Sequence, residues 1–252
     1  MNKINLQADL HVHTVVSGHA YSTLQEVARE AKGKGLKLLA ITDHGPAMPG
    51  GPCPIYFANM RIIPRQVEGV EIIRGVEANI LEEGTLDLSE RLLNGLEFVL
   101  AGFHSECLEP QASVEENTRL MIKALENPHV DVISHPGNPR YQIDAEKLVR
   151  ATKRLGKLVE INNSSFRVRQ GSYENCLEIA RWAVRLGVMI TVNSDCHISY
   201  DVGECQLAQE ILLAAKVPEE LILNTKVERV KDYLEGRKRR LREHAGRSLG
   251  EG

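Results

Sequence analysis

The stretch Ile4-Asn5-Leu6-Gln7-Ala8-Asp9-Leu10-His11-Val12-His13 decides the reading of this chain. An apolar, strand-like run ends in two imidazoles at i and i+2, which on an extended backbone point to the same side. Six further apolar runs follow, and five of them also lead into a His or an acid. Apolar segments at 37–41, 72–76, 98–101, 130–133, 158–161 and 188–192 lead into Thr42-Asp43-His44, Glu77, Gly102-Phe103-His104, Ser134-His135-Pro136, Asn162-Asn163 and Ser194-Asp195-Cys196-His197. Between them lie stretches of helical period. Ser22-Thr-Leu-Gln25 and Ser113-Val-Glu-Glu116 read as capping boxes, Asp144 and Ser172 as N-caps, and Gly35, Gly156 and Gly187 as helix ends ahead of the next strand. Seven βα units predict an α/β fold, a closed or nearly closed (β/α) barrel spanning 1–252 as one domain. In such a barrel the C-terminal strand ends converge on one face, so residues far apart in sequence share a pocket.

The histidines then carry the functional argument. Of nine, six fall at strand ends, and His19 follows in the loop after the first strand; only His129 and His244 lie elsewhere, as structural or surface residues. Seven imidazoles in one pocket would repel if protonated and would lack partners if neutral. Divalent metal ions resolve both problems, because neutral imidazole is a preferred ligand for zinc and its neighbours. Glu77 and Asp195 add carboxylates able to bridge ions. At three or four protein donors per catalytic ion, nine donors suit two or three metals.

Composition narrows the alternatives. The chain carries 31 Lys+Arg against 34 Asp+Glu, a net charge of −3, with 42% hydrophobic and 4% aromatic residues. Neither membrane contact nor nucleic-acid binding is expected from that balance. The five scattered cysteines read as reduced thiols, and the N-terminal residues lack the apolar stretch of a signal peptide, so a cytoplasmic protein is expected. The Pro- and Gly-rich segment 45–64 reads as a long loop. Residues 227–242 read as a helix whose basic run 237–242 is a solvated tail, with 243–252 frayed. No serine-nucleophile motif, phosphate loop or nicotinamide fingerprint is found.

The motifs Asp9-Leu-His-Val-His13-Thr14, Ile41-Thr-Asp-His44-Gly45, Gly75-Val-Glu77-Ala-Asn-Ile80, Ser134-His135-Pro-Gly-Asn-Pro139 and Asn193-Ser-Asp195-Cys-His197 resemble the PHP (polymerase and histidinol phosphatase) superfamily. His19-Ala-Tyr-Ser-Thr23 and Asn59-Met60-Arg61 resemble its YcdX-type phosphatases, and the resemblance runs from Asp9 to about Ile211. It implies a distorted (β/α)7 TIM-like barrel and a trinuclear site with three divalent ions per chain, zinc first, with manganese or iron as alternatives. His11, His13, Glu77 and Asp195 would hold the first ion. Glu77 would bridge to a second bound by His104 and His135, and His19, His44 and His197 would bind the third. The implied reaction is phosphomonoester hydrolysis of a small phosphorylated substrate by a metal-activated hydroxide. Histidinol-phosphate phosphatase and a PHP-type nuclease or phosphodiesterase are the alternatives, the nuclease disfavoured by charge and aromatic content. His104 stands where a barrel amidohydrolase commonly carries a modified Lys, which sets that class behind. Segment 49–57 departs from the family pattern and puts substrate choice in question, and a homo-oligomer is left open.

Residues beside these motifs receive secondary roles. Asp9 and Asp43 are expected to orient imidazoles, or else to cap turns. Arg61 is expected to grip substrate phosphate, with Arg167 and Arg169 as weaker candidates. Asn162 and Asn163 end a strand among the ligands and either bond substrate or cap the loop.

Overall fold

A computed structural model describes residues 4–110 and 113–248. Strands β1 (Ala8–Val12), β2 (Leu38–Ile41), β4 (Val70–Asn79), β5 (Phe98–Gly102), β6 (Val132–Ile133), β7 (Leu158–Asn162) and β8 (Ile190–Asn193) form a parallel sheet in that order. Helices α1 (Leu24–Gly33), α2 (Pro54–Asn59), α3 (Glu90–Leu93), α4 (Val114–Glu126), α5 (Ala145–Leu155), α6 (Ser165–Val168), α7 (Ser172–Leu186), α8 (Gln206–Ala214) and α9 (Val227–Ser248) alternate with them. Seven parallel strands in a nearly closed barrel match the expectation from periodicity.

An eighth strand, β3 (Gln66–Val67), was not expected. It pairs antiparallel with β4, Val67 opposite Val70, across the two-residue turn Glu68-Gly69, in which both residues have positive φ (53° and 87°). That geometry matches the twist of a tight hairpin.

The seam between β8 and β1 closes without a regular ladder. Near the pocket, Val12 and Cys196 form a parallel bridge, with His13 N donating to Cys196 O at 3.0 Å. Lower down, the buried side chain of Asn224 donates to Ala8 O and Val192 O and accepts from Val192 N. One side chain there satisfies backbone groups that a ladder would otherwise pair.

Alternation along the strands separates two apolar layers. Val12, Leu39, Ile41, Val76, Val99, Ile133, Val159 and Val192 face the surrounding helices. Ala8, Leu10, Leu38, Ala40, Ile73, Phe98, Leu100, Val132 and Leu158 fill the lower interior, plugged by Val227 and Val230 of α9. In β1 the register slips between Asp9 and Val12, with Leu10 and His11 opposed to Ala40 alone on β2. This bulge lets β1 carry Leu10 in the lower core and His11 and His13 in the pocket above, against simple alternation.

Several local expectations are corrected. The α1 capping box is Thr23/Glu26, one residue later than read: Thr23 N donates to Glu26 Oε2 at 2.7 Å, and Glu26 N to Thr23 Oγ1. Gly171, not Ser172, caps α7. Segment 45–64 is not all loop, since Pro54 occupies the first turn of α2, where a missing N–H costs nothing, and a 3-10 turn follows at Met60–Ile62. The basic run is not wholly a solvated tail. Arg237 is 4% exposed and donates to Asp131 Oδ2 (2.7 Å), Leu96 O (3.0 Å) and His129 O (3.1 Å). Helix α9 continues to Ser248 through the stretch expected to fray, and residues 249–252 lie outside the described residues. No helix among the described residues is long and apolar enough to cross a membrane.

Candidate metal centre

The C-terminal strand ends bring His11, His13, His44, Glu77, His104, His135, Asp195 and His197 to one face, with His19 over them from the loop after β1. Glu77 is central and fully buried. Its Oε2 lies 3.2 Å from His11 Nε2, 3.4 Å from His13 Nε2 and 3.0 Å from His44 Nδ1, and its Oε1 lies 2.8 Å from His135 Nε2 and 3.4 Å from His104 Nε2. Asp195 Oδ1 is 3.4 Å from His11 Nε2, 3.1 Å from His13 Nε2 and 3.7 Å from His197 Nδ1. The exposed His19 ring stacks on His44 and His197 at centroid distances of 5.0 and 4.8 Å. Three donor sets are compact enough for single ions: His11/His13/Asp195, His44/Glu77/His104 and His13/His44/His197. His19 and His135 border these sets, His19 through its stacking on His44 and His197 and His135 through Glu77 Oε1.

Backbone and glycine geometry make this convergence feasible. His135 and Asp195 both sit at positive φ (33° and 54°), which costs a non-glycine residue local strain and turns the chain sharply at the ends of β6 and β8. A Cβ at Gly102 would fall 2.2 Å from Ser134 Oγ and 2.9 Å from His135 Cε1. Only glycine lets β6 bring those side chains up to Glu77.

The donor types fit divalent cations, and Glu77, Asp195, His13 and His135 are also held in the protonation state that binds one. Burial raises the carboxyl pKa values of Glu77 and Asp195, but surrounding imidazoles, with Arg169 beside Asp195, outweigh it and hold both well below the usual range. Burial, with His44 and His197 nearby, pushes His13 well down, and burial with Arg169 pushes His135 down to about 4. Ionised carboxylates and neutral imidazoles are the forms that bind metal. Burial also opposes the charged form of His11, but Glu77, Glu160 and Asp195 outweigh it and raise its pKa well above the ordinary value, so a proton and a cation compete at that ring. The nitrogens His11 Nε2 and His13 Nε2 face each other at 3.0 Å. Glu77 Oε2, His44 Nδ1 and both ring nitrogens of His104 are buried and form no hydrogen bond. Burying such atoms unpaired is costly, and a coordinated cation removes the cost.

A family model described as the PHP domain matches residues 9–164. The chain belongs to the PHP family. A probable phosphatase of Caldanaerobacter subterraneus subsp. tengcongensis is 53% identical over 241 residues, covering 95% of each chain. One of Acetivibrio thermocellus is 50% identical over 235 residues, covering 93% of this chain and 97% of that protein. Among solved structures, histidinol phosphate phosphatase of Lactococcus lactis, complexed with zinc, L-histidinol and phosphate, aligns with a TM-score of 0.57 at 17% identity, covering 83% of this chain and 93% of that one. A chain of an archaeal ribonuclease P with mature tRNA aligns at 0.58 and 14% identity, covering 93% of both. These two likenesses show a shared fold.

Around the PHP donor set, the carboxylate that holds an imidazole is one the sequence reading missed. Glu160 lies fully buried in the middle of β7. It contacts His11 Nδ1 at 2.8 Å and accepts from His135 N (2.7 Å), Asn193 Nδ2 (2.7 Å) and Asn162 Nδ2 (3.1 Å). An acid inside the apolar run Leu158-Val-Glu-Ile161 was the available signal. Asp9 touches no imidazole ring; it accepts from Ser194 Oγ, Ser194 N and Gly203 N and so fixes the chain around Asp195. Asp43 acts one step removed, accepting from Ser17 Oγ at 2.7 Å, which itself lies 3.1 Å from His13 Nδ1.

A cavity of about 570 Å³ opens above the donors, lined by His19, His44, His104, Asp195, Arg167 and Arg169 among others. Arg61 is exposed on its 3-10 turn and does not line it. Arg169 does, held 3.2 Å from Ser165 Oγ and 3.4 Å from Asp195 Oδ2, while Arg167 pairs with Asp201. Asn162 Nδ2 donates to Asp195 Oδ2 at 3.1 Å, and Asn163 Oδ1 accepts from Ala208 N in the first turn of α8, as a loop cap would.

Proposed function

We propose that this chain is a metal-dependent phosphatase that hydrolyses small phosphomonoesters at a trinuclear site built from His11, His13, His19, His44, Glu77, His104, His135, Asp195 and His197, with zinc the leading metal. The observation that carries the reading is the group of buried donor atoms around Glu77 that form no hydrogen bond within the protein. Bound divalent ions supply a Lewis acid for phosphoryl oxygens and lower the pKa of coordinated water. The chain's own side chains arrange the rest. Glu160 holds His11 and the His135 backbone, and Ser17 holds His13, so the imidazoles need little reordering to receive ions. Arg169 points its guanidinium into the cavity beside Asp195, where a planar cation would clamp phosphate oxygens. That role replaces the one first expected of Arg61. The curated relatives carrying the name probable phosphatase agree with this reading.

Elemental analysis of the protein after reconstitution with zinc and with manganese tests it, followed by a phosphomonoester screen that includes histidinol phosphate and a single-stranded DNA control. About three ions per chain and turnover of monoesters alone are expected. One ion or none after reconstitution, or cleavage of DNA in preference to monoesters, would overturn it.

A further inference from the structure

The cavity over the donors has a side pocket. A second space of about 370 Å³ shares His104, Glu106, Val168 and Arg169 with the first, so the two meet at a fork beside the metal-ligating face. The shared wall holds Glu106, the acid nearest the fork. The outer pocket is completed by Ser105, Asn138, Arg140 and Gln170 over Phe103 and Tyr141, so that Glu106 is the one acid in its lining, against Arg140 and Arg169. That lining is rich in donors and carries two guanidinium groups against one carboxylate.

Arg140 is tied to the same strand ends that carry the donors. Asn138 N bonds to His135 O at 3.1 Å, and Asn138 Oδ1 accepts from Arg140 N at 3.1 Å. The next residue, Tyr141, is buried, donates its hydroxyl to Leu108 O at 2.5 Å and stacks on Phe103, the residue before His104, at 4.8 Å. The backbone under Arg140 is thus fixed relative to both His104 and His135. Its guanidinium meets Glu109 at 3.4 Å, a pair in which both side chains are more than half exposed. Such exposed pairs are weak and exchange readily for another anion.

We propose that this outer pocket seats a second anionic group, a carboxylate or a further phosphate, carried by the leaving group of the substrate. The inference rests on the phosphatase reading above and adds to it the substrate class: monoesters of hydroxy acids or of already phosphorylated alcohols rather than of neutral or cationic ones. Arg140 is the residue that selects.

The matched pair glycerol 3-phosphate and 3-phosphoglycerate, which differ only by a carboxylate in place of a hydroxymethyl group, tests this on the zinc-reconstituted protein, with O-phosphoethanolamine as the cationic probe. A preference for 3-phosphoglycerate of about tenfold or more, lying in KM, is expected. In Arg140→Gln the preference should fall toward unity, and Arg140→Lys should restore part of it. Calorimetric titration of glycerate in the presence of phosphate should show weaker binding in Arg140→Gln than in the parent. Equal use of the pair, preference for the amine, or a ratio unmoved in Arg140→Gln would overturn the subsite while leaving the phosphatase reading intact. Hydrolysis of none of the three would overturn that reading and this one with it.

Discussion

The two ends of this barrel bury charge in opposite ways. At the lower end, Asp131 and Arg237 form a buried pair in which every nitrogen of the guanidinium has a protein acceptor, and the carboxylate also receives Val99 N and the Tyr233 hydroxyl. At the upper end, Glu77 presents one oxygen to three imidazoles without a hydrogen bond, and both nitrogens of His104 are unpaired. Isolated unpaired atoms occur below as well, at His129 Nδ1 and Arg240 Nε, but they are not gathered around a common centre. A fold that completes its own ion pair at one mouth and leaves a contiguous donor cluster at the other has separated stability from function. The lower network holds α9 in place, and the upper one is complementary to cations that the chain does not itself supply.

That contrast is breakable by substitution at each end. Glu77→Ala should lose turnover and bind fewer ions per chain while keeping a native circular dichroism spectrum, because it removes a donor and not a plug; full activity would dissolve the functional half of the comparison. Arg237→Ala should do the reverse. Truncating one member of a buried pair strands the other charge, a cost of about 3–5 kcal/mol, so denaturant midpoints should fall sharply while activity per folded molecule persists. A native midpoint would mean that Asp131 is rehydrated without cost.

Glu160 links the two behaviours, being buried and fully bonded yet in contact with a donor ring. Glu160→Gln should weaken metal affinity about 10–100-fold, read by chelator competition, with a smaller loss of stability than Arg237→Ala. An unchanged affinity would make Glu160 a purely structural residue of β7.

How far the sequence discloses this division varies by residue. The strands were legible because β-branched and aliphatic runs end in polar residues, and the donor positions were legible because those ends recur seven times. The β3 hairpin was not. Its strand is two residues long, and its turn uses Glu68-Gly69 where Asn-Gly or Asp-Gly would announce itself. Arg237 was hidden inside the run Arg237-Lys-Arg-Arg240, although Val230, Tyr233, Leu234 and Arg237 share one helical face, the spacing that puts it inward. Glu160 was hidden for the opposite reason, since its neighbours in β7 are apolar and periodicity reads such a strand as core. For these two side chains the missing information was a partner distant in sequence, Asp131 for Arg237 and His11 for Glu160.

The smallest expected effect separates a cation near the site from one in it. Arg61 and Arg169 both looked like phosphate ligands, yet Arg61 is exposed away from the cavity, whereas Arg169 is largely buried against Asp195 and Ser165. An exposed charge outside the pocket acts through solvent and is screened by salt. Arg61→Ala should therefore change kcat/KM for a phosphomonoester by less than about threefold, while Arg169→Ala should raise KM by roughly tenfold or more through loss of a charge-assisted grip. Measuring both at low and at physiological salt sharpens the distinction, because only a screened, long-range contribution fades as salt is added. If Arg61→Ala proves the more damaging of the two at both salt concentrations, segment 45–64 closes over the substrate during turnover, and the phosphate grip belongs to that segment instead of to the end of β7.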